Sequence, residues 1–384
     1  MTGLTPTRRS AIATGAAAAM LAPVAASSAA KGSAGGLNAA AVAKGMRFGS
    51  AYSWSAPDAD RGSFANPAYA RLLCRDCGIL VPENELKWQS VRPAPDKFDF
   101  ARFDAMIDWA DRENLRVRGH NLLWHRAKWL PRWVNDHDFG ARPAAEAEQL
   151  LVAHIQTVTR RYGNRISSYD VVNETVNDKD GTLEQTVFSR ALGSTEAVVD
   201  LAFHTARAEA PHAELVYNDY MSWEPGMEAH CAGVLRLLEG MKKRGTPVDA
   251  LGVQSHIITQ GTDTRGSVLA MQARWRRFLD DVTGLGLKLL ITELDVRDNN
   301  LPAAMAPRDQ AVSDYTRAYL DVMFAYPQLR DVLVWGLCDR YSWIEGFEPR
   351  SDGAHRRPCP YDDRFAAKPM YSAIAEAFKH APHR

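Results

Sequence analysis

The segments Ser168-Tyr-Asp-Val-Val-Asn-Glu174 and Lys288-Leu-Leu-Ile-Thr-Glu-Leu-Asp-Val296 each run from almost continuous apolar sequence into a glutamate. Short runs rich in Val, Ile, Leu and Tyr are those of strands covered on both faces, as in parallel sheets flanked by helices. Similar runs recur near Arg47–Ser53, Ile79–Asn84, Arg116–Trp124, Glu214–Tyr220, Ala250–Ile257 and Val332–Asp339. Amphipathic helical stretches lie between them, among them Phe103–Glu113, Ala145–Tyr162, Thr195–Ala210, Ala229–Arg244, Val268–Gly284 and Asp309–Ala325, with Met370–His380 after the last strand. Eight strands alternating with helices predict an α/β fold, a single-domain (β/α)8 barrel. An open doubly wound sheet is the alternative, weakened because no Gly-rich phosphate loop follows the first strand.

A barrel of this kind builds its active site at the C-terminal ends of its strands. Polar groups gather at those ends here: Glu83-Asn-Glu-Leu-Lys-Trp88, His120-Asn-Leu-Leu-Trp-His125, Asp170-Val-Val-Asn-Glu174, Tyr217-Asn-Asp-Tyr220, Gln254-Ser-His256, Thr292-Glu-Leu-Asp295 and Trp335-Gly-Leu-Cys-Asp339. One such end is explained by a helix cap or a satisfied core hydrogen bond. Seven are not, because buried polar groups cost free energy unless they are paired or have a task. Glu174 and Glu293 stand out. On strands four and seven they face each other across the barrel mouth. Glycoside hydrolysis requires such a pair, one acid to protonate the leaving oxygen and one carboxylate to support the oxocarbenium-like centre.

Composition narrows the classes. The chain has 384 residues, 46% hydrophobic and 24% charged, with formal net charge zero. No basic field is present to hold a polyanion, so no nucleic-acid partner is expected. The 10 Trp and 12 Tyr suit stacking on sugar faces, although aromatic residues also serve as core filler. Residues 1–30 carry a twin arginine, Arg8-Arg9, then an Ala-rich apolar stretch and small residues at Ser28-Ala29-Ala30. This is the layout of a Tat-type export signal, placing the mature protein in the periplasm or outside the cell, with no membrane insertion after signal removal. Residues 31–44 read as a linker and 45–384 as the barrel domain. Cys74-Arg-Asp-Cys77 lacks the second pair that a structural zinc site needs, and both cysteines read as small core residues. Cys338 and Cys359 flank a long loop, and in an exported protein a disulfide between them is a hypothesis that free thiols would sink. A monomer is expected.

Taken together, these segments resemble the family 10 glycoside hydrolases, the (β/α)8-barrel xylanases, over roughly Gly45 to His380. The resemblance implies a retaining endo-β-1,4-xylanase with Glu174 as acid/base and Glu293 as nucleophile. It implies that Asn173 binds the 2-hydroxyl of the reacting sugar, that His256 stands beside the nucleophile, and that Asp295 orients His256. Gln254 is expected next to them on the same strand face. Glu83, Asn84, Lys87, His120 and Trp124 match residues holding glycone sugars. Trp335 and Trp343 match aromatic residues lining the cleaved sugar, and Asn218 and Tyr220 match positions toward the leaving group. No cofactor or metal is implied, and the partner is a polysaccharide or oligosaccharide.

The chain departs from the family at Trp124-His-Arg-Ala-Lys128, where Trp-His-Ser-Gln is common. Ala127 cannot replace the glutamine, while Arg126 and Lys128 add positive charge. An acidic or substituted glycan, or another β-glycan such as cellulose, is therefore an alternative substrate. Two further readings stay open on the residues alone. A metal-dependent barrel hydrolase would need His120, His125 and His256 to converge with acids, yet the odd spacing of His120 and His125 points them to opposite strand faces. A non-catalytic glycan-binding barrel would not need both glutamates.

Overall fold

The computed structural model describes Met1 and residues 35–261 and 263–384. The export signal read over residues 1–30 lies, Met1 apart, outside the described residues. Nine parallel strands are found among them: β1 (Arg47–Tyr52), β2 (Ile79–Pro82), β3 (Arg116–Trp124), β4 (Ile166–Asn173), β5 (Glu214–Asp219), β6 (Ala250–Val253), β7 (His256–Ile258), β8 (Lys288–Arg297) and β9 (Leu329–Val334). Neighbours in sequence pair around a closed ring. β6 pairs β8 directly, and β9 returns to β1 with Arg47 opposite Asp331. The Arg47 guanidinium donates to both Asp331 oxygens at 2.6 and 2.9 Å, an ion pair at the seam where the ring closes.

β7 also pairs with β8, higher up, so β6 and β7 together occupy the sixth barrel position. The sequence predicted one strand from Ala250 to Ile257. The break falls at Gln254-Ser255, where Ser255 takes a left-handed backbone with φ 64°. A β strand cannot pass through that region, so the two-residue side-chain period is reset before His256. The last strand likewise ends at Val334. Trp335 to Asp339 form the loop beyond it, turned by Gly336 at φ 105°.

Eight long helices alternate with the strands, at Pro67–Asp76, Ala101–Arg112, Pro143–Tyr162, Thr195–Glu209, Glu228–Arg244, Thr264–Gly284, Met305–Met323 and Pro369–His380. The helix from Thr195 shows why they form. Ser194 caps it by accepting the Ala197 N–H. Val198, Val199, Ala202, Phe203 and Ala206 recur at helical spacing and are buried against the barrel. Burying each large apolar side chain contributes about 1.5–3 kcal/mol. The ring of sheet–helix contacts therefore outweighs any local helix propensity as the source of stability.

Two further expectations are corrected. The linker read over residues 31–44 contains a helical turn, Leu37–Val42, that buries Leu37 and Ala41. Asn38 accepts the Phe48 N–H at 3.0 Å, so this segment is already part of the domain. Cys338 and Cys359 are not bridged, and all five cysteines are free thiols. The Cys338 thiol turns to the Asp362 carbonyl at 2.9 Å. Asp339 instead closes the loop, accepting the Cys359 N–H at 2.9 Å and pairing with Lys368 at 2.8 Å.

Candidate active site

The polar strand ends converge at one mouth of the barrel. Glu293, on β8, is 5% exposed. Its Oε1 accepts the Asn218 side-chain amide at 2.9 Å, and its Oε2 lies 3.1 Å from His256 Nε2. The other imidazole nitrogen, Nδ1, is 2.9 Å from Asp295 Oδ2, which also accepts the Trp343 indole N–H at 2.8 Å. Burial pushes the Glu293 carboxyl up, but the bond to His256, the neighbouring His120 and His256, and the Asn218 amide bring it down to about 2. Burial likewise opposes charge on His256, and the two carboxylates overrule it, raising the imidazole to about 9. Glu293 is thus held ionised against a protonated histidine.

Glu174 follows directly on β4 with φ 54°, a left-handed turn that costs a non-glycine residue on the order of 1–2 kcal/mol. Its N–H is held by the Asn218 carbonyl at 2.9 Å. The Trp124 indole donates to Oε2 and the Gln254 amide to Oε1, each at 2.9 Å. Burial pushes this carboxyl up, the Gln254 bond opposes it, and the nearby Asp219 and Glu293 charges add to the rise. The two glutamates therefore have opposite proton preferences, the separation that acid–base chemistry between like groups requires.

Asn218 is more central than its expected place toward the leaving group. It is fully buried, donating to Asn173 Oδ1 at 2.8 Å as well as to Glu293 and accepting from Thr292 Oγ1 at 2.7 Å. Gln254 serves Glu174 rather than the histidine two residues on, because the Ser255 turn separates their faces. Asn173 keeps its amide nitrogen buried without a hydrogen-bond partner among the described residues.

On the side of β1 to β3, Lys87 donates to Asn84 Oδ1 at 2.9 Å and lies over the Trp124 ring. Burial lowers the Lys87 ammonium, against the pull of Glu293, Glu174, Glu83 and Glu85. Burial and Glu85 raise Glu83 to about 7, against Lys87 and Arg61. His120 packs edge-on against Trp335 and bonds through Nδ1 to Asp170 at 2.9 Å. Trp343 packs on His256.

Tyr220 closes the opposite side, its hydroxyl accepting from Arg126 at 2.9 Å. That bond bears on the departing motif. Arg126 is occupied by protein acceptors, and Lys128 lies over the Trp129 ring, which stacks on Trp124 with centroids 4.5 Å apart. The Arg126 guanidinium, expected to recruit an acidic glycan, has its donors committed to carbonyls and a hydroxyl within the fold. The three histidines of the metal reading do not converge: His120 meets Asp170, His125 meets Thr186, and His256 meets the two carboxylates.

Reading the sequence missed Asp170 and Thr292 as supports. Asp170 is an acid inside a buried strand, which demands a cation, and Arg118 on β3 supplies it at 2.5 Å. Gly252 was also missed. A Cβ there would stand 2.3 Å from Asn218 Oδ1, so only glycine leaves room for the amide.

Residues 36–377 match the sequence model described as glycosyl hydrolase family 10. The chain is 34% identical over 306 residues to endo-1,4-beta-xylanase 2 of Aureobasidium pullulans, covering 79% of this chain and 80% of the relative. Among solved structures it resembles native xylanase 10B from Thermotoga maritima, with 29% identity, a TM-score of 0.77, and coverage of 90% of this chain and 98% of that one. Xylanase 10B from Thermotoga petrophila in complex with xylobiose matches at 29% identity and a TM-score of 0.76, over 90% and 97% of the two chains.

Proposed function

Since the chain belongs to glycosyl hydrolase family 10, we propose the following division of labour among its own residues. The enzyme is an endo-1,4-β-xylanase that cleaves internal xylosidic bonds of xylan with retention of configuration. Glu174 gives its proton to the glycosidic oxygen as that bond to C1 breaks, and Glu293 forms the new bond to C1. In the second step Glu174 takes a proton from water, the water oxygen bonds to C1, and the Glu293 ester breaks, returning both carboxyls to their starting states. The observation that carries this assignment is the contrast between the two glutamates: one paired to a protonated histidine, the other buried among carboxylates.

The unpartnered Asn173 amide nitrogen donates to the 2-hydroxyl of the reacting sugar. Trp335 and Trp343 line that sugar. Glu83, Asn84, Lys87, His120 and Trp124 hold the glycone side, and Tyr220 borders the leaving group. Asp295 orients His256. Export through residues 1–30, ahead of a barrel domain that acts as a monomer, belongs to the same proposal. The mass of the secreted protein and its elution volume test those two points.

The direct test follows xylotetraose hydrolysis by NMR. β-Configured products should appear first, and Glu293→Ala should abolish turnover while melting cooperatively. Glu174→Ala should turn over only substrates with a good leaving group, with azide restoring rate and giving a β-glycosyl azide. Initial α-products, or a folded Glu293→Ala variant with wild-type rate, would overturn the assignment.

A further inference from the structure

We propose that Arg126 is a positioning residue for Glu174, clamping the turn that carries it and helping it pass from acid to base between the two steps. The inference rests on the assignment of Glu174 as acid/base.

Arg126 lies just beyond β3, and its side chain is 20% exposed. Its Nε donates to the Glu174 carbonyl at 2.9 Å, and one terminal nitrogen donates to the Val176 carbonyl at 2.7 Å and the Tyr220 hydroxyl at 2.9 Å. The other terminal nitrogen lies 3.6 Å from Glu184. The guanidinium therefore grips the backbone at Glu174 and two residues beyond it and ties both to the end of β5. Glu174 needs this grip, because its left-handed backbone is unfavourable in isolation. With the Asn218 carbonyl on its N–H and Arg126 on its own carbonyl, the turn is fixed from both sides.

The same guanidinium stands 3.9 Å from Glu174 Oε2 without a hydrogen bond to it, so it acts on the carboxyl through its charge. The charges around that carboxyl come from several elements. Asp219 on β5 and Glu293 on β8 favour the protonated form, while Lys87 and Arg126 favour the carboxylate. Trp124 and Gln254 donate to it, Tyr220 borders it, and Glu184 shares Arg126. In the free enzyme the anions and burial favour the protonated form. Once Glu293 is esterified its charge is gone. Asp219 then stands against two cations, and Glu174 is released to act as base.

The test compares pH profiles of wild type, Arg126→Met and Arg126→Lys. The measurements are kcat/KM on xylotetraose and kcat on an aryl xylobioside whose glycosyl-enzyme breakdown is rate-limiting. Losing a cation this close makes a carboxyl hold its proton up to a pH about 1 unit higher. The alkaline limb of kcat/KM should therefore move up by about 1 pH unit in Arg126→Met. Its kcat on the aryl substrate should fall by about tenfold, with a lower KM as the intermediate accumulates. Arg126→Lys keeps the charge but not the fork of donors, so its limb should stay near wild type while its rate falls. An unmoved limb in Arg126→Met, or the same rate loss at every pH, overturns the proposal. If Arg126→Met does not melt cooperatively, Glu184→Gln carries the test. It frees Arg126 of a competing acid and should move the limb down, and an unmoved limb there is equally fatal. Azide rescue of Glu174→Ala separates the two failures: if rescue fails, the assignment of Glu174 falls; if it succeeds while the Arg126 limbs stay put, only the present proposal does.

Discussion

The side-chain amide of Asn218 donates to Glu293 Oε1 at 2.9 Å, joining the end of β5 to the carboxylate on β8. Its second hydrogen goes to Asn173, and its oxygen is held by Thr292. An amide held this way cannot rotate to leave Glu293 with one donor fewer. Asn218→Ala should lower kcat/KM by about 10²-fold, the usual cost of removing one preorganised donor from a reacting centre. The acid limb of its pH profile should also rise, because Glu293 loses one of the groups that hold it ionised. Steady-state kinetics from pH 3 to 8 on the folded variant check both.

Gly252→Ala tests the same amide from behind. The new methyl would meet Asn218 Oδ1 at 2.3 Å and Thr292 Cγ2 at 3.1 Å. Relieving the overlap costs about 1–3 kcal/mol. The variant should melt several degrees lower and lose at least about tenfold in kcat/KM, since displacement of Asn218 also disturbs Glu293. Wild-type rate with only a lower melting temperature would mean that the amide does not need its position.

His256 makes stability depend on alkaline pH. Its folded value of about 9 lies above the unfolded value of about 6.5. The contribution is therefore complete below about pH 6.5 and is lost as pH rises through 9. A difference of this size corresponds to about 3 kcal/mol, shared with Glu293 and Asp295 as one linked group. The melting temperature should fall between pH 6.5 and 9.5. Asp295→Asn, which removes the partner on Nδ1, should flatten that fall.

His154 has the opposite sign. It is fully buried, stacked on Trp88 with ring centroids 3.8 Å apart, and burial followed by nearby Arg92 lowers it to about 3. Burial lowers His125 to about 4. Both stay neutral in the folded chain while the unfolded chain takes up protons below about pH 6.5, so stability declines as pH falls from there toward 4. His154→Phe keeps the stack and removes the titration. Its melting temperature should decline less steeply than wild type between pH 6.5 and 4, and parallel curves would sink the assignment.

What the sequence by itself determined was the alternation of strands and helices, the barrel, and the gathering of polar residues at strand ends. Those properties are local: an apolar run long enough for a strand, a helical period, and a polar group placed where the run stops. Glu174 and Glu293 were legible for the same reason, each closing such a run. Only the tertiary structure decided which neighbour each one meets. Gln254 turned to Glu174 because Ser255 breaks the strand period. Asn218 came to Glu293 because Gly252 leaves it space. Arg126 became a clamp because the end of β3 brings it beside the turn after β4. Cys338 and Cys359 stayed apart because Asp339 and Lys368 close their loop instead. Hydrogen bonds between residues 40 to 80 positions apart depend on strand register and backbone turns, and neither is encoded in the spacing of residue types along one segment.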